Sequence, residues 1–93
     1  MDNKIILGSM AMDLKRAALG YHRKSFGMAE KFLSEAMNRK NEAVNNGVDS
    51  YLLFIFQRLE MILEEDDMQK RAEETLMYST LIQNYTICKN VSP

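Results

Sequence analysis

The chain has 93 residues, of which 46% are hydrophobic and 27% are charged, and its formal net charge is −1 at pH 7. This size and composition are typical of a single folded domain over residues 1–93, and the charge gives no global indication of nucleic acid binding. With Cys88 as its one cysteine and His22 as its one histidine, the chain cannot form an intrachain disulfide or a Cys- or His-rich metal cluster.

Small size makes association with another chain the expected source of extra stability. A chain of this length buries roughly 60–65% of the surface that its unfolded form exposes, so its folded state is only marginally stable on its own. Disulfides and metals are the other usual remedies, and neither is expected here. The apolar patch near the N-terminus is interrupted by Gly8 and Ser9, so we expect no secretory signal and a cytoplasmic location. No segment reaches the ~20 apolar residues that span a bilayer.

The first half of the chain predicts one long helix over about residues 9–45. Apolar or small residues recur there at steps of three or four. The residues of this pattern are Met10, Leu14, Ala17, Tyr21, Ser25, Met28, Phe32, Ala36 and Ala43. Gly20 and Gly27 each cost about 1 kcal/mol relative to alanine in a helix interior, but the pattern keeps its phase across both. We therefore expect a continuous helix of ~55 Å, with a break into two helices as the alternative.

A turn after this helix is indicated by Asn45-Asn46-Gly47, where Gly47 suits the left-handed residue that follows a helix end. Asp49 or Ser50 suits the N-cap of a second helix over about residues 50–65. Its apolar pattern consists of Leu52, Ile55, Phe56, Leu59, Ile62 and Leu63.

A third helix is predicted over about residues 67–89. Extending the second pattern leads only to charged residues, whereas a new apolar pattern begins at Met68, so Asp66 or Asp67 is the expected N-cap. The new pattern consists of Met68, Ala72, Leu76, Ser79 and Ile82. The predicted fold is all-α: a small helical bundle with a long N-terminal helix and two shorter ones. An α+β fold is disfavoured, because a strand in the second segment would have only Ile5–Leu7 as its partner.

The segment Tyr51–Leu63 predicts self-association. Ten of its thirteen residues are apolar, and residues 52–56 place a large apolar group on every face of a helix. A helix that is apolar all round must be covered on more than one side, and a short chain has few elements to do so. We therefore predict a dimer that completes the bundle. The predicted interface residues, which lie away from the stripe of Leu52 and Leu59, are Tyr51, Phe54 and Met61.

Basic residues of the first helix are the candidate nucleic acid contacts. Residues 1–48 contain eight Lys/Arg against five Asp/Glu, and residues 49–93 contain four against eight. The candidate contacts to phosphate are Arg16, Arg23, Lys24 and Lys31. Interspersed acids dilute their field, so a solvated face, or one that complements the acidic half of the chain, is the favoured interpretation.

Catalytic chemistry has little support in the sequence. Glu60, Glu64 and Asp67 are spaced to share one helical face and to hold Mg²⁺, but the facing ExxE pair that such sites need is missing. The basic neighbours of His22, Arg23 and Lys24, do not make it a base, and nothing beside Cys88 beyond a lysine activates the thiol. We assign no catalytic residue, no metal ligand and no cofactor.

The favoured function is a non-catalytic interaction module, such as a scaffold, a chaperone or a small regulatory protein, that acts through self-association. A homodimer is expected, a further protein partner is left open, and no membrane partner is expected. A regulator that binds nucleic acid through the basic face is the alternative, and a metal-dependent nucleotide hydrolase is the weakest hypothesis.

Overall fold

The computed structural model describes residues 2–91, with side chains through residue 88, and consists of helices without a strand in that range. The four helices are α1 (Asn3–His22), α2 (Phe26–Asn46), α3 (Ser50–Ile62) and α4 (Met68–Val91). The prediction of an all-α fold is confirmed. Within the described residues, no helix combines the length and the apolar character needed to cross a bilayer.

The long helix predicted over residues 9–45 is wrong, because the chain reverses direction after His22. The side-chain amide of Asn3 donates hydrogen bonds to the backbone oxygens of Ala43, at 3.3 Å, and of Gly47, at 2.8 Å. The start of α1 therefore lies beside the end of α2, and the two helices are antiparallel. The longest dimension of the structure is 41 Å, shorter than the ~55 Å rod that a continuous helix would require.

The reversal is a Schellman motif that has lysine where glycine is usual. Lys24 has a φ of 62°, in the left-handed region. The Ser25 N–H donates to the Gly20 oxygen at 2.8 Å, and the Lys24 N–H donates to the Tyr21 oxygen at 3.2 Å. These are the two hydrogen bonds of the motif, and they satisfy carbonyls at the end of α1. The helix thus ends at a residue that carries no local signal for a break.

Replacing Lys24 with glycine should stabilise the protein. A residue with a Cβ pays about 1–2 kcal/mol in the left-handed conformation, whereas glycine adopts it readily. We expect Lys24→Gly to raise the free energy of unfolding by about 1 kcal/mol, measured by urea denaturation. The control is Lys31→Gly, at an exposed position inside α2, where glycine should cost ~1 kcal/mol. Equal destabilisation by both substitutions would contradict this account of the turn.

Helix α1 lies at the centre of the structure, with α2 on one side and α4 on the other. Its contact faces carry small residues, including Ala11, Ala17 and Gly20, which let the neighbouring backbones come close. The Ser79 hydroxyl of α4 donates to the Ala11 oxygen of α1 at 2.7 Å in the buried interface. Helix α3 contacts α4 less closely than α1 does. The residues that α3 buries are large, among them Leu52, Ile55 and Phe56.

The break after α1 also changes which face of α2 is buried. Helix α1 buries its predicted residues, from Met10 to Tyr21. In α2, however, Met28 is exposed and Phe32 is only half-buried. The residues that α2 buries are Ala29, Leu33, Ala36, Lys40 and Ala43. The pattern that seemed continuous across the turn therefore belongs to two helices with different orientations.

The other predicted helices are closer to the structure. Gly47 has a φ of 95°, and the Asp49 carboxylate accepts the Leu52 N–H at 3.0 Å, as expected of an N-cap. Asp67 accepts the Gln69 N–H at 3.0 Å at the start of α4. Helix α3 ends at Ile62, three residues earlier than predicted.

The apolar faces of α3 and α4 are mostly as predicted. All members of the α3 pattern are buried except Leu63, which follows the helix and is exposed. In α4, Ala72, Ser79 and Ile82 are buried, whereas Leu76 is exposed.

Candidate interaction surfaces

Helix α3 carries a group of large apolar side chains on its outer side. Phe54 is 54% exposed and Met61 is 58% exposed, although both belong to a helix whose opposite face is fully buried. We call this group the α3 outer surface; its members are Tyr51, Leu53, Phe54, Met61 and Leu63. The predicted interface residues Tyr51, Phe54 and Met61 are therefore available for contact with another chain.

Two aromatic contacts hold parts of the α3 outer surface in place. The Tyr51 ring stacks on Tyr85 of α4, with centroids 5.8 Å apart. The Tyr85 hydroxyl donates to the Asp49 carboxylate at 2.7 Å. Burial, helped by this hydrogen bond to Asp49, raises the pKa of Tyr85 to about 12, so the hydroxyl keeps its proton at neutral pH. The guanidinium of Arg58 lies 5.2 Å from the centre of the Phe54 ring.

A shallow cleft joins the α3 outer surface to α2. Its volume is about 230 Å³, below the roughly 300–1,000 Å³ of small-molecule sites. Its walls include Val44 and Leu53. The Lys40 ammonium, on a side chain that is otherwise buried, pairs across it with the Glu60 carboxylate. This ion pair links α3 to α2 beside the α3 outer surface.

The basic candidates do not share one helical face, as a continuous helix would require. Arg23 and Lys24 lie in the turn after α1, and Lys31 is exposed on α2. Arg16 is on α1, where it pairs with Asp13 at 3.7 Å and lies 5.7 Å from the centre of the Phe32 ring.

The carboxylates considered for Mg²⁺ are also separated by the fold. Glu60 is on α3 and pairs with Lys40, whereas Glu64 and Asp67 lie in the connection after Ile62, where Asp67 caps α4. The shared helical face that was predicted for them does not exist. No group of three or more His, Cys, Asp or Glu side chains suited to a metal ion occurs among the residues that the structure describes.

Buried charges occur at the centre of the structure. Burial is the main reason that the pKa of Asp13 is raised, and Glu35 adds to the effect while Arg39 and Arg16 oppose it. Arg71 is buried, pairs with Glu30 at 3.2 Å and lies 5.1 Å from the centre of the Tyr21 ring. Arg71 thus ties α4 to α1 and α2. His22 and Cys88 are exposed.

Sequence reasoning missed a second set of exposed apolar side chains, which lie on α1 and α4. Ile5, Met12 and Leu19 are spaced seven residues apart on α1, and each is exposed. We call the group the α1–α4 surface; its members are Ile5, Met12, Leu19, Leu76 and Ile87. The seven-residue spacing was the available signal, but it lies on the opposite side of α1 from the Met10–Tyr21 pattern that predicted the core.

Residues 2–91 thus form a domain of four helices with exposed apolar side chains on α3 and on α1 and α4. Comparison with known protein families, with curated proteins and with solved structures found no match to it.

Proposed function

We propose that this protein is a non-catalytic interaction module that self-associates through the α3 outer surface. The observation that supports this proposal is the exposure of five large apolar side chains on and just after one 13-residue helix. Single apolar side chains are normal on protein surfaces, but several on and beside one short helix are more typical of a site that another protein covers. A second copy of the chain is the simplest cover.

The spacing of the two most exposed residues of this surface suits a two-fold symmetric contact. Phe54 and Met61 are seven residues apart, or about 10 Å along the helix, on either side of Gln57 and Arg58. When two α3 helices pack antiparallel about that midpoint, Phe54 of one copy meets Met61 of the partner subunit. Contacts between methionine sulfur and an aromatic ring are favourable, and each dimer would contain two of them.

The charges around the α3 outer surface are compatible with self-association. Helix α3 contains one basic residue, Arg58, and one acidic residue, Glu60, and the latter already pairs with Lys40 of α2. Arg58, whose guanidinium lies over the Phe54 ring, is therefore the one charge of α3 that self-association would bring near its own copy.

Replacing Phe54 with glutamate should produce a folded monomer. The change places a charged side chain in an apolar contact, and loss of a central aromatic contact is worth about 2 kcal/mol or more, roughly a 30-fold weaker dimer. Light scattering should report the mass of one chain, while circular dichroism should show unchanged helix content because Phe54 is exposed within a single chain. The control is Met28→Glu, at an exposed methionine on α2, which should leave the mass unchanged.

The double variant F54E/M61K tests the antiparallel arrangement itself. It places opposite charges against each other across the two-fold axis, so part of the association lost in Phe54→Glu should return. A wild-type protein that is monomeric at micromolar concentration would overturn the proposal. If the wild type is a dimer but the double variant does not regain association, the antiparallel arrangement is rejected.

A further inference from the structure

We propose that the α1–α4 surface is a docking site for an amphipathic helix of a partner protein whose flanks are acidic. This site is separate from the α3 outer surface and does not depend on self-association. It is argued from three features of the described residues: a groove, an apolar line that extends it, and a local excess of basic charge.

The groove lies between α1 and α4, near the end of α1. Its floor is formed by two small, buried residues, Ala18 and Ala72, and its apolar walls by the exposed side chains of Leu19 and Leu76. The polar residues that also line it are Lys15, His22, Gln69 and Glu73. Its volume is about 440 Å³, which is the size of several apolar side chains. Alanines at the floor leave room for side chains that enter from outside, so the groove can accept the apolar residues of another helix.

The apolar line on α1 continues this groove toward the other end of the helix. Leu19, Met12 and Ile5 are each separated by seven residues, or two helical turns, and together they span about 21 Å. Ile87 adds an exposed apolar side chain on α4. A docked helix would make contact every three or four residues along this line, the spacing that an amphipathic helix provides.

Charge selects the kind of helix that fits. The outward side chains of α1 that flank the apolar line are basic: Lys4 and Lys15 on the side toward α4, and Arg16 on the other side. Within α1 the one acidic residue is Asp13, which is buried and forms an ion pair with Arg16 at 3.7 Å. On the α4 wall, Glu73 is the acidic residue, and Gln69 is neutral.

Lys4, Lys15, Arg16 and Arg23 thus exceed Asp2, Asp13 and Glu73 by one positive charge on and beside α1 and the groove, although the chain as a whole carries −1. A second copy docked through this same surface would bring two basic rims together, which is unfavourable. A helix with acidic residues on both sides of its apolar stripe would complement the rim. An anionic membrane shares the charge preference, but the concave groove favours an inserted helix over a lipid surface.

The test uses a fluorescein-labelled synthetic peptide of about 18 residues, long enough to cover the apolar line, with leucine at successive a and d positions and glutamate on both flanks. A matched peptide has lysine in place of every glutamate. Fluorescence anisotropy should show saturable binding of the acidic peptide to the full-length protein, and binding of the lysine peptide should be weaker by about tenfold or more.

Variants locate the binding and separate it from self-association. Leu19→Glu and Met12→Glu should each weaken binding of the acidic peptide by about tenfold or more, and Lys15→Glu should reduce the preference for that peptide. Phe54→Glu should bind it as the wild type does, because the α3 outer surface is elsewhere. Circular dichroism of each variant establishes that it is folded.

Several results would overturn the inference: no binding of the acidic peptide, equal binding of both peptides, or full binding by Leu19→Glu. Wild-type binding to phosphatidylserine vesicles that Met12→Glu abolishes, without binding of the acidic peptide, would assign the surface to membranes instead. Loss of peptide binding in Phe54→Glu but not in Leu19→Glu would place the peptide on the α3 outer surface.

Discussion

Leu14→Ala should lower the free energy of unfolding by about 2–5 kcal/mol, the range for removing a buried leucine side chain from a packed core. Leu14 is fully buried on the central helix α1, so the cavity left by the substitution would be surrounded by packed side chains. Domains of this size have roughly 5–14 kcal/mol of stability in total. A large share of it would therefore be lost, and the midpoint of urea denaturation should fall accordingly.

The matched control for this substitution lies two residues away on the same helix. Met12 has a side chain of similar size but is 51% exposed on the opposite side of α1. Met12→Ala should therefore change the free energy of unfolding by no more than about 0.5 kcal/mol. Equal losses in the two variants would mean that the α1–α4 surface is buried in the free protein and would also remove the basis of the docking site.

The second large effect is expected at the contact between α1 and α2. A Cβ atom on Gly20 would lie 2.9 Å from the Ala29 Cβ and 3.0 Å from the Ala29 Cα and backbone nitrogen. Backbone atoms cannot swing away as a flexible side chain can, so the two helices must separate. We expect Gly20→Ala to cost about 1–3 kcal/mol, as overpacking of a core does, even though alanine is the better helix former.

Gly8→Ala provides the control, because Gly8 is also inside α1 but has no neighbouring atom within 4 Å of the added Cβ. Here the helix propensity of alanine acts unopposed, and the substitution should raise the free energy of unfolding by up to about 1 kcal/mol. Thermal denaturation of the two variants should therefore shift in opposite directions. A stabilising Gly20→Ala would contradict the close packing of α1 on α2.

Gly20 and Lys24 explain why the first half of the chain was predicted incorrectly. Gly20 was treated as a tolerated cost within a long helix, but it is the point where α2 crosses α1. The actual reversal occurs at Lys24, which has none of the usual turn signals. The cost of a lysine in the left-handed region is local, and it is outweighed by burial of the faces that α1 and α2 present to each other.

The candidate surfaces were predictable to different degrees. The exposure of Tyr51, Phe54 and Met61 follows from the helical period, because the residues opposite them form the stronger buried stripe. The α1–α4 surface could not be predicted in the same way. Its groove is made by two helices that are distant in sequence, and Leu76 was expected in the core on the basis of periodicity within its own helix.

The amino-acid sequence by itself determined the helical class, the turn at Gly47, the caps at Asp49 and Asp67, and the apolar character of α3, because each depends on interactions within a few residues. Tertiary structure decided where α1 ends and which residues remain exposed on α1 and α4. Those features depend on the close approach of residues such as Gly20 and Ala29, and on the balance between a local backbone cost and the area buried when α1 and α2 pack together. A pattern within a few residues of sequence does not indicate how that backbone cost compares with the buried area.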